Sequence, residues 1–506
     1  MIITSVSYLI FIAVSLLIYW HIPHRLQWIV LLIDSLLFYF LNAKAYTFLY
    51  LLLSVITVYA ATRYFDYENN AKKRKKVLII TLVVNVGVLA ALKYTNLLIN
   101  SVNFFSERIS GIVIPNVSWI ASLGISFYTL QIIAYLLDCY WGVAEAENNP
   151  LKLLLFTSYF PLMVSGPISR YQDLGPKLLE EHRFDYEMVT CGVRRIAWGI
   201  AKKVVVADRL SIVVSYMFNN TGMFSGIWVL IAAMLFITQL YFDFSGCMDI
   251  VIGVSRCFGI KLMENFRAPF LSKNIQEFWQ RWHIALGTWL KNYIMYPLLK
   301  TEGLVNLGAK CKKRFGKQGK KIPSYIAMFV VWSLMGLWHG SSWKYVVGEG
   351  WWFWLAIVAG QMLEPIFKRL KKCLKINEQN IIWKMFQISR TLVIYAFGMI
   401  FFNANSMSSA VEMIGKMFVP TGIVAPLIYL YKGVWSQFGG ELVLFLIIVL
   451  VGLQMLCDIR VYREMDVQIL ITQRNAGVRW TLYFLLVFTI IVAGAFGQSS
   501  FIYFAF

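Results

Sequence analysis

Apolar runs of near-membrane length recur along this chain, and they constrain its fold more than any other feature. Ser7–Trp20, Trp28–Leu41, Val77–Leu92, Ile227–Tyr241 and Trp480–Phe496 approach or reach the length of a bilayer crossing, which is roughly 20 helical residues. In hydrocarbon every backbone N–H and C=O must be paired within the segment, so runs of this length are used as helices. Composition agrees: 59% of the residues are hydrophobic and 14% are charged, against about 25% charged in soluble domains. The expected fold is an all-α polytopic membrane protein with about 11 spanning helices. Residues 1–506 read as one integral-membrane domain, with its core motifs in 120–345 and further spans in 346–506.

The net charge of +21 is concentrated in short clusters between apolar runs: Lys72–Lys76, then Lys312, Lys313, Arg314, Lys317, Lys320 and Lys321, then Lys368, Arg369, Lys371, Lys372 and Lys375. Cytoplasmic loops carry such an excess of Lys and Arg, and anionic lipid headgroups favour it. No basic-aromatic domain stands outside the apolar runs, so nucleic acid is not expected as a partner. With three spans ahead of the first cluster, the N-terminus is expected outside. That N-terminus reads as a retained first span and not as a cleaved signal. Seven cysteines are scattered without a C-x-x-C pair, and no metal site is expected from their spacing.

Two stretches depart from simple spans. Pro161, Gly166, Pro167 and Pro176 are expected to break any helix in 161–210, which reads as a re-entrant or interfacial segment walling a cavity. Over 275–296, Phe278, Trp282, Leu286, Trp289 and Tyr293 recur at helical spacing. They predict one amphipathic helix whose aromatic stripe lies at headgroup level.

Chemistry points to two histidines among the five in 506 residues. His283 closes Phe278-Trp279-Gln280-Arg281-Trp282-His283, and His339 lies in Gly336-Leu337-Trp338-His339-Gly340. Imidazole moves protons near neutral pH, and an ionisable group at bilayer depth is a functional candidate. Gly336 and Gly340 would also let another helix pack closely, so a satisfied histidine at a tight crossing is the bland alternative for His339. The functional alternative is a general base acting on a hydroxyl that attacks an acyl group, with Trp338 and Trp343 excluding water. His283 would bind or orient the acyl donor. His21, His24 and His182 read as solvated. Asp243 and Asp249 would pair with Arg256 or Arg267, or hold a catalytic imidazole in its reactive tautomer. The ending Phe501-Ile502-Tyr503-Phe504 reads first as an aromatic belt. Hydrolase elbows, Walker loops and H-E-x-x-H are lacking. A transporter or flippase, the reading from another class, has no internal repeat to support it. A non-catalytic scaffold is the third.

Taken in order, several segments resemble the membrane-bound O-acyltransferase (MBOAT) superfamily, in its AlgI-type polysaccharide O-acetyltransferase branch, with teichoic acid D-alanyl transferases as near relatives. They are Gly124–Tyr128, Gly166–Tyr171, Lys202–Asp208, Tyr241–Asp249, Glu277–His283 and Gly336–Gly340. The resemblance implies a helical bundle around a central channel, with His339 catalytic where the channel narrows and His283 the second functional histidine. Asp243, Asp249, Trp282, Trp338, Arg281 and Asn292 are the supporting and channel residues it suggests. It implies a bacterial multi-pass enzyme of the cell membrane, with no tightly bound cofactor. Acetyl-CoA would be the thioester donor, an exported polysaccharide the final acceptor, and a separate extracytoplasmic SGNH-type transferase the partner. Tyr503 resembles a C-terminal motif residue of this branch and is a candidate acyl carrier. One departure touches the donor: where the branch often has Ser-x-Ser and an Arg-Asp pair after the histidine, this chain has Ala285, Gly287, Lys291 and Asn292.

Overall fold

A computed structural model of the chain describes residues 3–465 and 467–497. Among these residues every regular element is a helix, and the sole strand-like pairing is one antiparallel bridge between Phe266 and Trp282. Among the described residues nine helices are long and apolar enough to cross a membrane, and two shorter apolar ones, Val6–His21 and Ile125–Tyr140, accompany them. The described residues fall into two compact units, one of Met1–Gly199 with Cys247–Met263, the other of Ile200–Gly246 with Glu264–Ile502.

In the first unit Val6–His21, Gln27–Asn42, Phe48–Tyr67, Ala71–Ser110 and Ile125–Tyr140 are the long apolar helices. Asn70 caps Ala71–Ser110 by accepting from the N–H groups of Lys72 and Lys73. The first basic cluster therefore opens a helix and is not a loop. Its 40 residues span about 60 Å at helical rise, twice a hydrocarbon core, so the cationic start can stand in water. The proline-rich stretch gives a short helix Phe160–Met163, extended backbone, then Tyr171–Leu179. Pro176 sits inside that last helix, contrary to expectation; the one helical bond it cannot donate is to the Gln172 carbonyl. The extended stretch is buried by protein, one of the two ways such backbone is tolerated at depth. His182 is also buried, with Nδ1 2.9 Å from the Tyr19 hydroxyl, so it is not the solvated histidine expected; His21 and His24 are exposed.

The second unit contains the remaining spans: Ile322–His339, Trp343–Cys373, Ile381–Asn403, Gly440–Tyr462, Ala476–Ala493 and the part of Ile227–Cys257 up to Gly246. Trp480, Phe484, Phe488 and Ile491 stand exposed along Ala476–Ala493, as a helix facing lipid requires. The second basic cluster begins on the helix Glu302–Gly319, and the third reaches into the last turns of Trp352–Cys373, where cations complement the helix dipole.

The single helix expected over 275–296 does not form. Ile275–Arg281 stops, Trp282 and His283 turn, and the chain resumes as Ile284–Leu290 and a π-helical turn Lys291–Met295. Phe278, Trp282, Leu286, Trp289 and Tyr293 are all buried. Their periodicity records core packing and not an interfacial belt.

Candidate active site

His339 is the last residue of Ile322–His339. The chain turns through Gly340 and runs back as Trp343–Cys373, with Val346–Trp351 wound as a π-helix. Glycines let the two segments approach at backbone distance. A Cβ on Gly336 would stand 2.7 Å from the Tyr345 carbonyl oxygen, and one on Gly350 would stand 2.7 Å from that of Trp332. On the far side, a Cβ on Gly348 would come within 2.2 Å of Phe401 Cβ, in Ile381–Asn403. Between Gly348 and Gly350, Glu349 is carried to the end of the His339 helix. Its Oε1 lies 3.2 Å from His339 Nε2, with both side chains at most 2% exposed. Its Oε2 has no hydrogen-bond partner among the described residues.

His283 reaches the same place from a broken helix. Asn265 builds the break: its carbonyl accepts the Ile284 N–H at 3.1 Å and its Oδ1 accepts the Ala285 N–H at 3.0 Å. The Arg267 N–H donates to the Arg281 carbonyl at 3.0 Å, which fixes the chain on the other side of the turn. His283 takes left-handed backbone, φ 47° and ψ 51°, an uncommon conformation in which His is several-fold enriched. The ring is thereby turned inward. It meets Phe244 edge-on at 4.9 Å between centroids and stands 6.4 Å from the His339 ring, near enough for one small group to touch both. Nδ1 lies 3.3 Å from Asn265 Oδ1, an oxygen already identified as an acceptor by Ala285. Nδ1 is therefore the protonated nitrogen, and Nε2 carries the lone pair. His283 lies outside the candidate spans; burial disfavours its imidazolium and pushes its pKa down to about 3, so the ring is neutral.

The other candidates separate into walls and braces. Trp282 is buried, stacked on Phe278 at 5.6 Å, and Trp338 is buried beside His339. Trp343 is 48% exposed and does not close the site as expected. Arg281 braces the break: it pairs with Glu277 at 3.1 Å and donates to the Arg267 carbonyl at 3.1 Å. Asn292 is half-buried in the π-helical turn. Asp243 shares the Lys203 ammonium with Asp208, each at 2.7 Å and all nearly enclosed. Asp249 pairs with Arg195 at 2.9 Å within the first unit. The carboxylate next to a histidine is Glu349, which sequence reasoning missed. Its signal was there: a lone acid between two glycines inside an apolar run. Tyr503 lies outside the described residues. No cluster of three potential metal ligands occurs among the described residues.

Residues 38–309 match MBOAT, the membrane-bound O-acyltransferase family. The match includes His283 and ends before His339. The chain is 30% identical over 420 residues to the probable alginate O-acetylase AlgI of Pseudomonas aeruginosa, covering 82% of this chain and 74% of that one. It is 32% identical over 349 residues to the peptidoglycan O-acetyltransferase of Helicobacter pylori, covering 63% and 61%. It is 30% identical over 241 residues to the teichoic acid D-alanyltransferase of Bacillus subtilis, covering 46% and 57%.

Proposed function

The chain belongs to the membrane-bound O-acyltransferase family, and from that premise we propose that it moves an acetyl group from cytoplasmic acetyl-CoA across the membrane for O-acetylation of a cell-envelope or secreted polysaccharide. The observation that carries this reading is the meeting of His283 and His339 in one buried, aromatic-walled place, their rings 6.4 Å apart. His339 takes the proton of an acceptor hydroxyl as its oxygen attacks the thioester carbonyl. The tetrahedral intermediate then expels the CoA thiolate, which recovers the proton. Holding donor and base together supplies rate by proximity, and the aromatic walls, Phe244 against His283 and Phe402 against His339, limit hydrolysis. His283, neutral with its lone pair on Nε2, accepts a hydrogen bond and so orients a donor without competing as an acid. Similarity to enzymes named for alginate and peptidoglycan acetylation, over more of the chain than the D-alanyltransferase covers, favours acetate as the group moved and an envelope or exported polymer as its destination. The hydroxyl is that of Tyr503 or of a partner, and the partner is an extracytoplasmic transferase of the SGNH type.

The test is mild-base release of ester-linked groups from envelope and secreted polymer. Cells carrying the wild-type chain are compared with cells carrying an equally expressed His339→Ala variant. Released acetate is expected to fall at least about 100-fold in the variant, the scale of a lost general base. Unchanged acetate with lost D-alanine would transfer the proposal to D-alanylation of teichoic acid, the second reading, which the Bacillus subtilis relative supports. No change in either would reject both.

A further inference from the structure

We propose that Glu349 is the positioning residue of His339: it holds the imidazole with Nε2 protonated and leaves Nδ1 as the nitrogen that takes the acceptor's proton. This rests on the acyl-transfer reading above and assigns the roles of the two ring nitrogens within it.

His339 Nε2 faces Glu349 Oε1 at 3.2 Å, and the two side chains are enclosed. A carboxylate inside an apolar span is costly unless it is paired. Here close packing on both sides, at Gly348 against Phe401 and at Gly350 against Trp332, leaves it little freedom to turn elsewhere. The assignment requires Glu349 to be ionised: a carboxylate accepts and does not donate, and the nitrogen facing it then carries the hydrogen. A neutral imidazole with Nε2–H has its lone pair on Nδ1. When the acceptor O–H transfers its proton to Nδ1, the oxygen–carbon bond forms, the ring becomes imidazolium, and Glu349 lies opposite that new charge. When the carbon–sulfur bond breaks, the thiolate takes the Nδ1 proton and the ring returns to its starting tautomer. The step moves no proton onto Glu349. The two histidines are thus oppositely poised: Asn265 holds His283 with Nδ1 protonated, and Glu349 holds His339 with Nε2 protonated.

The experiment follows incorporation of labelled acetate from acetyl-CoA into polymer by inverted native membrane vesicles, at varied acetyl-CoA. The amount of each variant in the membrane is matched by immunoblot. Glu349→Gln keeps the shape and a polar end but removes the charge; it is expected to lose about 10- to 100-fold in kcat, a part of what a general base contributes, with KM for acetyl-CoA unchanged. Glu349→Asp restores charge at shorter reach and is expected to recover part of the loss. In a His339→Ala background, Glu349→Gln is expected to cost nothing further, because groups acting as a unit are not additive. Wild-type kcat in Glu349→Gln, or an equal loss in both backgrounds, overturns the proposal. If Glu349→Gln does not accumulate, Glu349→Asp decides: lowered kcat at constant KM supports the assignment, and raised KM at constant kcat overturns it. Full incorporation by His339→Ala would instead remove the acyl-transfer reading beneath it. Loss in His339→Ala with none in Glu349→Gln removes only the role of Glu349.

Discussion

At the scale of single residues, His283 is set apart by its backbone as much as by its ring. Left-handed φ and ψ cost an L-residue roughly 1–2 kcal/mol, less for Asn and Asp. Asn265 offsets that cost by taking two backbone N–H groups of the resumed helix. Backbone and ring can therefore be tested separately. His283→Asn keeps a side chain that tolerates the turn and removes the imidazole. It is expected to reach the membrane at the wild-type level and to lose about 100-fold in acetate transfer, the scale of a misplaced donor. His283→Val places a β-branched residue in the turn and is expected to accumulate poorly or to melt earlier in a detergent thermal-shift assay. Wild-type transfer by His283→Asn would show that the ring is not used. Normal stability of His283→Val would show that the turn does not constrain the residue.

At the scale of elements, three helices meet where glycine removes side chains from their contacts. Gly348 is the tightest of these positions, with its Cβ direction blocked by Phe401 at 2.2 Å. Gly348→Ala is expected to force the π-helical turn away from Ile381–Asn403 and to cost about 1–3 kcal/mol of stability by overpacking. Because Glu349 is the next residue, transfer should fall by more than the loss of folded protein explains. The check is activity per folded molecule, counted by fluorescence-detected size exclusion. Gly360→Ala, with open space around its Cβ direction, is the control. This level was only partly legible from the sequence. Apolar runs located the spans because lipid imposes a length, and the Gly336–Gly340 spacing announced a close crossing at His339. The break at Trp282–His283 was hidden, because its cause is Asn265, outside the periodic window and 18 residues before His283. Side-chain period alone reports which residues are buried; whether protein or headgroups bury them depends on neighbours the window does not contain. For the same reason the stripe from Phe278 to Tyr293 read as interfacial and is core. Glu349 was missed because an isolated acid has no period, and only its placement against Nε2 gives it meaning.

At the scale of the whole molecule, the proposed chemistry makes a demand on orientation, since acetyl-CoA is a cytoplasmic donor. The third basic cluster ends Trp352–Cys373, and Lys371, Lys372 and Lys375 surround Cys373, which is exposed. An excess of Lys and Arg near helix ends marks the cytoplasmic side, and the negative surface potential of anionic lipids there attracts it by about 1 kcal/mol per basic residue. Several such residues at one end make the reverse orientation unfavourable by several times the thermal energy. Cys373 is therefore expected to react with a membrane-impermeant maleimide in inverted vesicles and to be protected in intact cells. Cys373→Ser identifies its share of the signal among the seven cysteines. Labelling in intact cells would put this end of the second unit outside. The basic helix ends could then not face the donor, and acetyl-CoA would have to be replaced by a donor found beyond the membrane.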